Sequence, residues 1–392
     1  MNWRGIGYLG MRYILRNRAK VGLLIAAFTL VWLLPLAIAM LVKNAEIQLR
    51  SRASQTPLLL GHAGSALELT FNGLYFTKPG IATIPFSESE KVRETGLAEP
   101  IPLYARFSAG GNRIVGTSLE YFEFRNLEFA EGRPLLRLGE CVIGASVASK
   151  IGLSSGDYLI SSPETLFDLA GVYPLKMKVC GVLSLTGTPD DDAVFVDLRT
   201  SWIIQGLGHG HIEAKEAPAG QRLAGDGAAV KLNASVLEYN EITPENAGSF
   251  HFHGEDGDNP ISAVIVLPDS AKSRAIIKGR YAPDTQLQLI SPEEEMTELF
   301  ATVFSVQRLV LWLLAGVGAA TLLIGGLVFV LSYRLRKEEF THLKRLGADV
   351  GTLRALIAFE AGFVLLCSLV TSGAGLWAIS ILAPSIVRIV MN

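Results

Sequence analysis

Long apolar runs alternate with polar stretches along the chain and predict three membrane-spanning helices. A helix needs about 20 apolar residues to cross the hydrocarbon core of a bilayer. Residues 21–42 and 309–332 are runs of this kind that contain no charged residue. The third run, 353–382, contains Arg354 and Glu360 near its start. The pattern therefore predicts spanning helices over these three ranges.

The residues between the first two runs, 43–308, are too polar to span and predict a folded domain of mixed α/β structure. Apolar and polar residues alternate in ALELTFNGLYF (66–76), which is typical of a half-buried strand. Residues 141–160 predict a strand, a helix, a turn and a second strand. The remaining patterned segments predict strands at 176–183, 192–198, 261–268 and 285–291, and a helix at 270–281.

Two stretches of this domain depart from the alternating pattern. Residues 205–260 are rich in Gly, Ala, His, Asp and Glu, and predict a flexible insertion at a loop tip. After it, Ser291 predicts a helix start, because Pro292 suits the first helical position and Glu294 completes a Ser-x-x-Glu capping box. The sequence then predicts one unbroken helix running into the second span.

Basic residues flank the spans unevenly and predict the orientation. Residues 1–20 carry five cations and no acid, and 333–352 are also rich in Lys and Arg. Cytoplasmic loops carry such an excess, so both segments are predicted to be cytoplasmic and 43–308 and the tail 383–392 extracytoplasmic. Residues 1–20 also predict an interfacial helix on the inner leaflet. The first apolar run is longer than the apolar core of a signal peptide, and this length favours an uncleaved anchor.

Composition supports an integral plasma-membrane protein, in bacteria one of the inner membrane. Of the 392 residues, 49% are hydrophobic and 18% charged, and the mean hydropathy is +0.35. The net charge of −2 argues against a nucleic-acid partner. The sequence has no phosphate-binding loop, no nucleophile elbow and no H-E-x-x-H motif. We therefore expect no catalytic residue in this chain.

The cytoplasmic segment between the last two spans predicts a short amphipathic helix over 335–346. Phe340, Leu343 and Leu346 recur at helical spacing, and Gly347 suits a helix end. Such a face can dock in a groove on a partner. The alternatives are a loop whose cations only fix topology, or a helix lying on the lipid interface. The polar rim of the predicted docking helix consists of Glu338, Glu339, Lys344 and Arg345.

Glu360 lies about two helical turns into the third span. An ionisable residue there is costly, so it predicts a functional role. The alternative is a shallow position near the headgroups, where the carboxylate pairs with a cation such as Arg354.

Histidines in the insertion predict a possible zinc or copper site. His209 and His211 form one H-x-H, and His251 and His253 form another. Residues i and i+2 of an extended segment share a face, so each pair can offer two imidazoles to one ion. The alternative is a solvated loop whose histidines are incidental.

Two of the three cysteines, Cys141 and Cys180, fall on predicted strands of the outer domain. A disulfide between them requires neighbouring strands in an oxidising compartment. The alternative is a pair of buried thiols.

Three outer segments resemble the periplasmic core domain of MacB-type ABC transporter permeases. They are RIVGTSLEYFEFRNLEFAEGRPL, ECVIGASVASKIGLSSGDYLI and KMKVCGVLSLTGTPDDDAVFVDL. The segment YRLRKEEFTHLKRLGADVGTLRALIAFEAGFVLLCSLVTSGAG is similar to the FtsX-type permease module, which also has a Glu at the opening of its span. These permeases have four spans, whereas three are predicted here, which leaves open whether the chain works beside a partner permease.

The resemblance implies a type VII ABC system that works by mechanotransmission. A separate ATPase subunit would use ATP and Mg²⁺, and a coupling helix would receive its motion. The chain would then move a lipid, lipoprotein, peptide or similar substrate on the outer face. Implied partners are that ATPase, a second identical or homologous permease, a periplasmic adaptor or lipoprotein, and membrane lipid. Alternatives are an FtsX-like regulator of an extracytoplasmic enzyme, or a metal-responsive membrane sensor.

Overall fold

The fold comes from a computed structural model of the chain. It describes residues 3–162, 174–210, 222–223, 231–232, 240–252 and 254–391, with side chains for 4–162, 174–210, 240–252 and 254–383. The chain divides into two compact units. The helical unit comprises Met1–Gln48 with Glu298–Asn392, and the sheet unit comprises Leu49–Thr297.

The helices of the described residues are α1 (Trp3–Arg16), α2 (Arg18–Ser54), α3 (Ala66–Tyr75), α4 (Ser87–Glu94), α5 (Glu120–Phe124), α6 (Ala145–Ile151), α7 (Leu198–Gln205), α8 (Ala271–Tyr281), α9 (Pro292–Leu335), α10 (Lys337–Arg345) and α11 (Val350–Met391). Three of them, α2, α9 and α11, are long and apolar enough to span a membrane. The described residues thus confirm the three apolar helices predicted from the sequence.

Helices α2 and α9 are longer than the apolar runs that predicted them. With 37 and 44 residues, they measure about 55 and 66 Å at 1.5 Å per residue. Helix α9 is continuous from Pro292, as predicted, and the amides of Glu294 and Glu295 donate to the carbonyl oxygen of Ser291. The carboxylate of Glu294 lies 3.2 Å from Lys278 on α8. The Glu294 side chain, predicted to complete the capping box, therefore pairs with α8.

Helix α11 extends beyond the predicted third span. It is a single helix to Met391, so the predicted tail 383–392 is helical as far as it is described. Its continuity favours one span over two short helices that turn near residues 371–375.

Helix α1 packs on α11, a contact that its basic and aromatic composition did not indicate. Ile6 lies in an apolar cluster with Leu353 and Leu356, and a Cβ atom at Gly10 would lie 2.4 Å from the ring of Phe359. The opposite face of α1 is exposed, with Tyr8 63% accessible. The predicted interfacial helix thus has one face against protein and one face open.

The strands of the described residues are β1 (Leu58–His62), β2 (Ile84–Pro85), β3 (Ala98–Tyr104), β4 (Ser108–Ala109), β5 (Asn112–Thr117), β6 (Phe129–Gly132), β7 (Glu140–Ile143), β8 (Tyr158–Ile160), β9 (Lys176–Leu183), β10 (Ala193–Asp197), β11 (Gly208–Gly210), β12 (Arg222–Leu223), β13 (Lys231–Leu232), β14 (Phe250–Phe252), β15 (Pro260–Ile261), β16 (Ala263–Pro268) and β17 (Leu287–Ile290). Strands β7, β8, β9, β10, β16 and β17 lie where the sequence predicts strands.

One mixed sheet organises the sheet unit. Its order is β17-β1-β16-β3-β5-β10-β7-β9-β6, with β4 beside β5 and β8 beside β9. The β5–β10 and β7–β9 pairs are parallel, and the other pairs are antiparallel. Leu58, Leu59 and Leu60 on β1 are all fully buried, which requires protein on both faces of the sheet.

The predicted strand at residues 66–76 is wrong, because this segment is helix α3. Ser65 caps the helix by accepting a hydrogen bond from the amide of Glu68. The Ser-x-x-Glu signal was therefore present in the sequence, and it outweighs the apolar alternation. Helix α3 packs on β1, where a Cβ atom at Gly73 would lie 3.1 Å from Leu59.

The ends of the predicted insertion at 205–260 are structured. Strands β11 and β14 form an antiparallel ribbon, and the ring of Phe252 packs edge-on against Trp202 at 6.2 Å between centroids. The predicted flexibility concerns 211–221, 224–230, 233–239 and 253, which lie outside the described residues.

Candidate functional site

The side chain of Arg336 joins several helices of the helical unit. It lies between α9 and α10, and its Nη1 donates to Glu360 Oε1 on α11 at 2.7 Å. Its Nε donates to Glu339 Oε2 at 3.1 Å, and its guanidinium carbon lies 3.6 Å from the ring centroid of Tyr13 on α1 and 4.8 Å from that of Phe340. We call these five residues the Arg336 junction.

Burial distinguishes the two ion pairs of the Arg336 junction. The side chains of Arg336 and Glu360 are 13% and 7% exposed, whereas that of Glu339 is 68% exposed. Attraction between charges is strongest away from water. The Arg336–Glu360 contact is therefore the stronger of the two ion pairs, and it links the α9–α10 turn to α11. Glu360 has a cation partner, as one interpretation expected, but that partner is Arg336 and not Arg354.

The predicted coupling helix forms as α10, and only part of its apolar face is buried. Phe340 is buried in the cluster with Ile6, Leu353 and Leu356, and half-buried Leu343 packs against the same cluster. Leu346, just after the helix, is 84% exposed. Gly347 has a φ of 95°, a conformation that favours glycine, and it follows the helix end as predicted.

The exposed surface of α10 is therefore polar. Glu338, Lys344 and Arg345 are exposed, together with Glu339. Phe340 and Leu343 hold the helix on α1 and α11, so a partner that docks on α10 meets these charged residues and Leu346.

The sheet unit contains a buried charged cluster that connects the end of α2 to the sheet. Arg52 Nη1 and Nη2 donate to Asp190 Oδ2 and Oδ1 at 2.6 and 2.8 Å. Tyr121 donates to Asp190 Oδ1 at 2.7 Å, and Arg52 Nε donates to the carbonyl oxygen of Leu74 at 2.5 Å. We call Arg52, Tyr121 and Asp190 the Arg52 cluster. Its ion pair is almost completely buried, with side-chain exposures of 5% and 2%.

Electrostatics in the Arg52 cluster favour the ionised carboxylate. Burial alone would raise the pKa of Asp190, but the charge and hydrogen bonds of Arg52 outweigh it and lower the pKa. Burial also raises the pKa of Tyr121. A second cation, Arg125, lies nearby, and its pKa is lowered first by burial and then by Arg52. The described residues provide no hydrogen-bond acceptor for Arg125 Nε or Nη1.

The possible disulfide between Cys141 and Cys180 is not formed, and both are free buried thiols. Their strands, β7 and β9, are neighbours, but Cys141 pairs with Val179. The register shifts between the Cys141–Val179 and Val142–Gly181 pairs, so Cys180 is an extra residue without a direct partner on the other strand. Its Sγ lies 3.8 Å from the carbonyl oxygen of Pro134. Burial raises the pKa of Cys180 to about 11 and raises that of Cys141 further.

The structure brings together one histidine from each predicted pair. His209 and His251 are direct partners across the β11–β14 ribbon, and their ring centroids are 5.0 Å apart. His211 and His253 lie outside the described residues. Among the residues that were described, no group of three or more His, Cys, Asp or Glu side chains is placed to hold a metal ion.

Sequence reasoning missed Tyr13, Asp190 and the structural role of Arg336. Arg336 was interpreted as a topology signal, because its partner Glu360 lies 24 positions later and no local spacing joins them. For Asp190, the Thr188-Pro-Asp190 sequence marks a turn, but nothing in the sequence indicates Arg52, 138 positions away.

Part of the sheet unit matches a known family model. Residues 81–237 match the family model of the MacB-like periplasmic core domain. Similar solved structures include the periplasmic region of MacB from Actinobacillus actinomycetemcomitans, at 10% identity and a TM-score of 0.36, covering 62% of this chain and 92% of that one. Another is the extracellular domain of the noncanonic ABC-type transporter YknZ from Gram-positive bacteria, at 14% identity and a TM-score of 0.33, covering 59% and 98%.

Among curated proteins, none matches the chain significantly. The evidence for a family therefore comes from the matched domain. The domain match agrees with the strand–helix–strand segments that carried the resemblance in the sequence. Over residues 81–237 this chain is similar to the MacB-like periplasmic core domain.

Proposed function

We propose that this chain is the membrane subunit of an ABC transporter and transmits the motion of a separate ATPase to its outer domain. The observation that carries this proposal is the MacB-like periplasmic core domain at 81–237, combined with three helices able to span a membrane. In this proposal α2, α9 and α11 cross the plasma membrane, with the N-terminus and α10 in the cytoplasm and the sheet unit outside. The positive-inside rule supports that orientation.

The continuity of α2 and α9 supports mechanical transmission. Each helix contributes residues to both the helical unit and the sheet unit. A helix transmits displacement along its axis through the hydrogen bonds between its turns, and α2 lacks one of these because Pro35 has no N–H group. In the proposal, the substrate moves on the outer face, and it belongs to the class of lipids, lipoproteins or peptides. A second permease copy or a homologous permease completes the assembly.

The exposed face of α10 is the proposed contact with the ATPase. We expect the paired variant Glu338→Lys with Arg345→Glu to weaken ATPase association about tenfold or more. Each change places a side chain opposite a like charge on a partner surface that complements the parent chain, and such a juxtaposition costs several kcal/mol. The two changes leave the net charge unchanged, and they avoid Phe340 and Leu343, which pack inside the helical unit. Co-purification from membranes and ATP hydrolysis by the complex are the measurements.

The control for this test reverses one acid and one base on α4 of the outer domain, Glu94→Lys with Arg93→Glu, both exposed. We expect this variant to bind the ATPase like the parent. If the α10 variant inserts normally and still retains the ATPase and its stimulated hydrolysis, α10 is not the coupling element. If no ATPase associates with the parent chain in its native membrane, the transporter proposal fails.

The histidine ribbon supports a second, narrower proposal, a zinc or copper site that includes His209 and His251. Neighbouring imidazoles across a ribbon can bind one ion, and Nδ1 of His251 lies 3.1 Å from the carbonyl oxygen of Ser249, a contact of the kind that orients a ligating ring. We expect the full chain in detergent to bind zinc at micromolar concentration in calorimetry, and His209→Ala with His251→Ala to abolish binding. Retention of binding by that double variant, or no binding by the parent, would exclude the site.

A further inference from the structure

A cavity of about 550 Å³ lies in the helical unit between α1, the start of α2 and the end of α9. Its volume is within the range of small-molecule sites. The lining residues of α1 and the start of α2 include three cations, Arg12, Arg16 and Lys20. Arg12 and Arg16 lie four residues apart on α1 and share a face of that helix, and Lys20 lies in the first turn of α2.

The polar contacts of two of these cations are with uncharged groups. Lys20 donates to the hydroxyl of Ser332 at 2.7 Å, and Arg12 lies over the ring of Tyr8 at 5.9 Å. In the part of the chain that the structure describes, none of the three forms an ion pair. Glu339, which also lines the cavity, is already bonded to Arg336. With Arg336, four cations and one acid line the cavity, so the lining has a net positive charge.

The end of α9 adds an apolar part to the lining. It consists of Val328, Leu331 and Leu335, beside the polar Ser332. Leu331 and Leu335 are 57% and 77% exposed. A lining with both cationic and apolar parts suits an amphiphile that has an anionic headgroup and a hydrocarbon chain. A soluble anion would leave the apolar part uncovered.

We propose that this cavity binds the phosphate headgroup of an anionic phospholipid of the inner leaflet. Arg12 and Arg16 donate paired N–H groups to the phosphate oxygens, since the planar guanidinium matches phosphate geometry. Lys20 adds a third cation, and an acyl chain lies along Leu331 and Leu335. Basic pockets at the cytoplasmic ends of membrane helices recognise such lipids. The proposal rests on the membrane insertion and orientation proposed above.

The bound lipid would lie next to the Arg336 junction. The cavity is also lined by Arg336 and Tyr13, which belong to the Arg336 junction. A phosphate in the cavity would bind α1 and the start of α2 near the turn that leads into α10. Anionic lipid therefore stabilises the packing of α1 and α2 beside the turn into α10, which is the helix proposed to contact the ATPase.

The test uses the full chain purified in mild detergent and measures retained lipid by native mass spectrometry. The probes are phosphatidylglycerol, phosphatidylcholine and inorganic phosphate. We expect phosphatidylglycerol to bind at least tenfold tighter than phosphatidylcholine. The variant Arg12→Gln with Arg16→Gln and Lys20→Gln should reduce phosphatidylglycerol binding at least tenfold. The variant Arg12→Gln with Arg16→Gln leaves the Lys20–Ser332 contact intact and should show a smaller loss in the same direction.

The control neutralises three exposed cations that do not line the cavity, Arg4, Arg18 and Arg334. Both triple variants lose the same charge, so a general electrostatic effect would lower lipid binding equally and would overturn the proposal. Equal affinity for inorganic phosphate and phosphatidylglycerol would assign the site to a free phosphate and overturn the lipid proposal. Resistance of each variant to alkaline extraction from membranes tests insertion separately, so failure of the proposed topology is distinguishable from failure of this site.

Discussion

Asp190→Ala is expected to destabilise the sheet unit by about 3–5 kcal/mol. Removing one partner of a buried ion pair leaves the other charge uncompensated away from water. Here the remaining charge is that of Arg52, whose side chain is only 5% exposed. For a domain of this size, that loss lowers the melting temperature by about 10 °C. Thermal unfolding of the full chain in detergent, followed by near-ultraviolet circular dichroism, measures the change.

A matched control lies two residues away in the same turn. Asp192 is bonded to Lys150 at 2.7 Å, but the Lys150 side chain is 54% exposed. An ion pair with one solvated partner contributes about 0–1 kcal/mol, so we expect Asp192→Ala to change stability by no more than that. If the two variants unfold at the same temperature, the Arg52 cluster does not fasten α2 to the sheet.

A double substitution separates loss of the pair from loss of one partner. Replacing a buried ion pair with apolar residues of similar volume is often neutral for stability. We therefore expect Arg52→Met with Asp190→Leu to be more stable than Asp190→Ala alone. The opposite order would indicate that the contacts of Arg52 with Tyr121 and Leu74 contribute more than the ion pair.

The Arg52 cluster also predicts how stability depends on pH. Arg52 lowers the pKa of Asp190 in the folded protein, below the value of about 3.9 for a free aspartate. The contribution of the ionised Asp190 carboxylate to folding stability is therefore fully present above about pH 4. It is lost as the pH falls through the folded-state pKa of Asp190. Asp190→Asn should remove this part of the acid sensitivity, so the stability difference between variant and parent should decrease toward low pH.

Local patterns predicted much of the fold. The segment 141–160 folded as a strand, a helix, a turn and a strand because its apolar positions and the Gly156-Asp157 turn specify each element locally. The strand predicted at residues 66–76 is wrong because a segment of eleven residues fits a period of two and a helical face almost equally well. In that case the cap at Ser65 was the stronger signal.

The candidate sites were harder to predict because their partners are distant in sequence. Phe340 was correctly placed on the apolar face of α10, but the pattern could not show that Ile6 and Leu353 already cover it. The charge pattern predicts Arg336 at the cytoplasmic end of a span, but its pairing with Glu360 depends on how α9 and α11 pack. Periodicity identifies a face of a helix, and only tertiary structure shows what that face contacts.

The second large effect is expected at Glu360. Glu360→Gln removes the charge that faces Arg336 at 2.7 Å in a site where both side chains are mostly buried, and we expect a loss of about 3 kcal/mol. Glu339→Gln is the matched control, since the same arginine bonds both carboxylates but Glu339 is 68% exposed. Its expected cost is below about 1 kcal/mol. Melting temperatures of both variants in one detergent provide the comparison.

The two variants also separate stability from coupling. Because Arg336 lies at the turn from α9 into α10, loss of the Glu360 contact should loosen α10 on α11, where Phe340 and Leu343 still hold it. We therefore expect Glu360→Gln to reduce ATP hydrolysis by the complex more than Glu339→Gln does. The exchange Arg336→Glu with Glu360→Arg should recover part of both losses, since it restores opposite charges at the same positions. A Glu360→Gln variant that melts and hydrolyses ATP like Glu339→Gln would show that solvent screens both pairs equally, and the Arg336 junction would then have no role in holding α10.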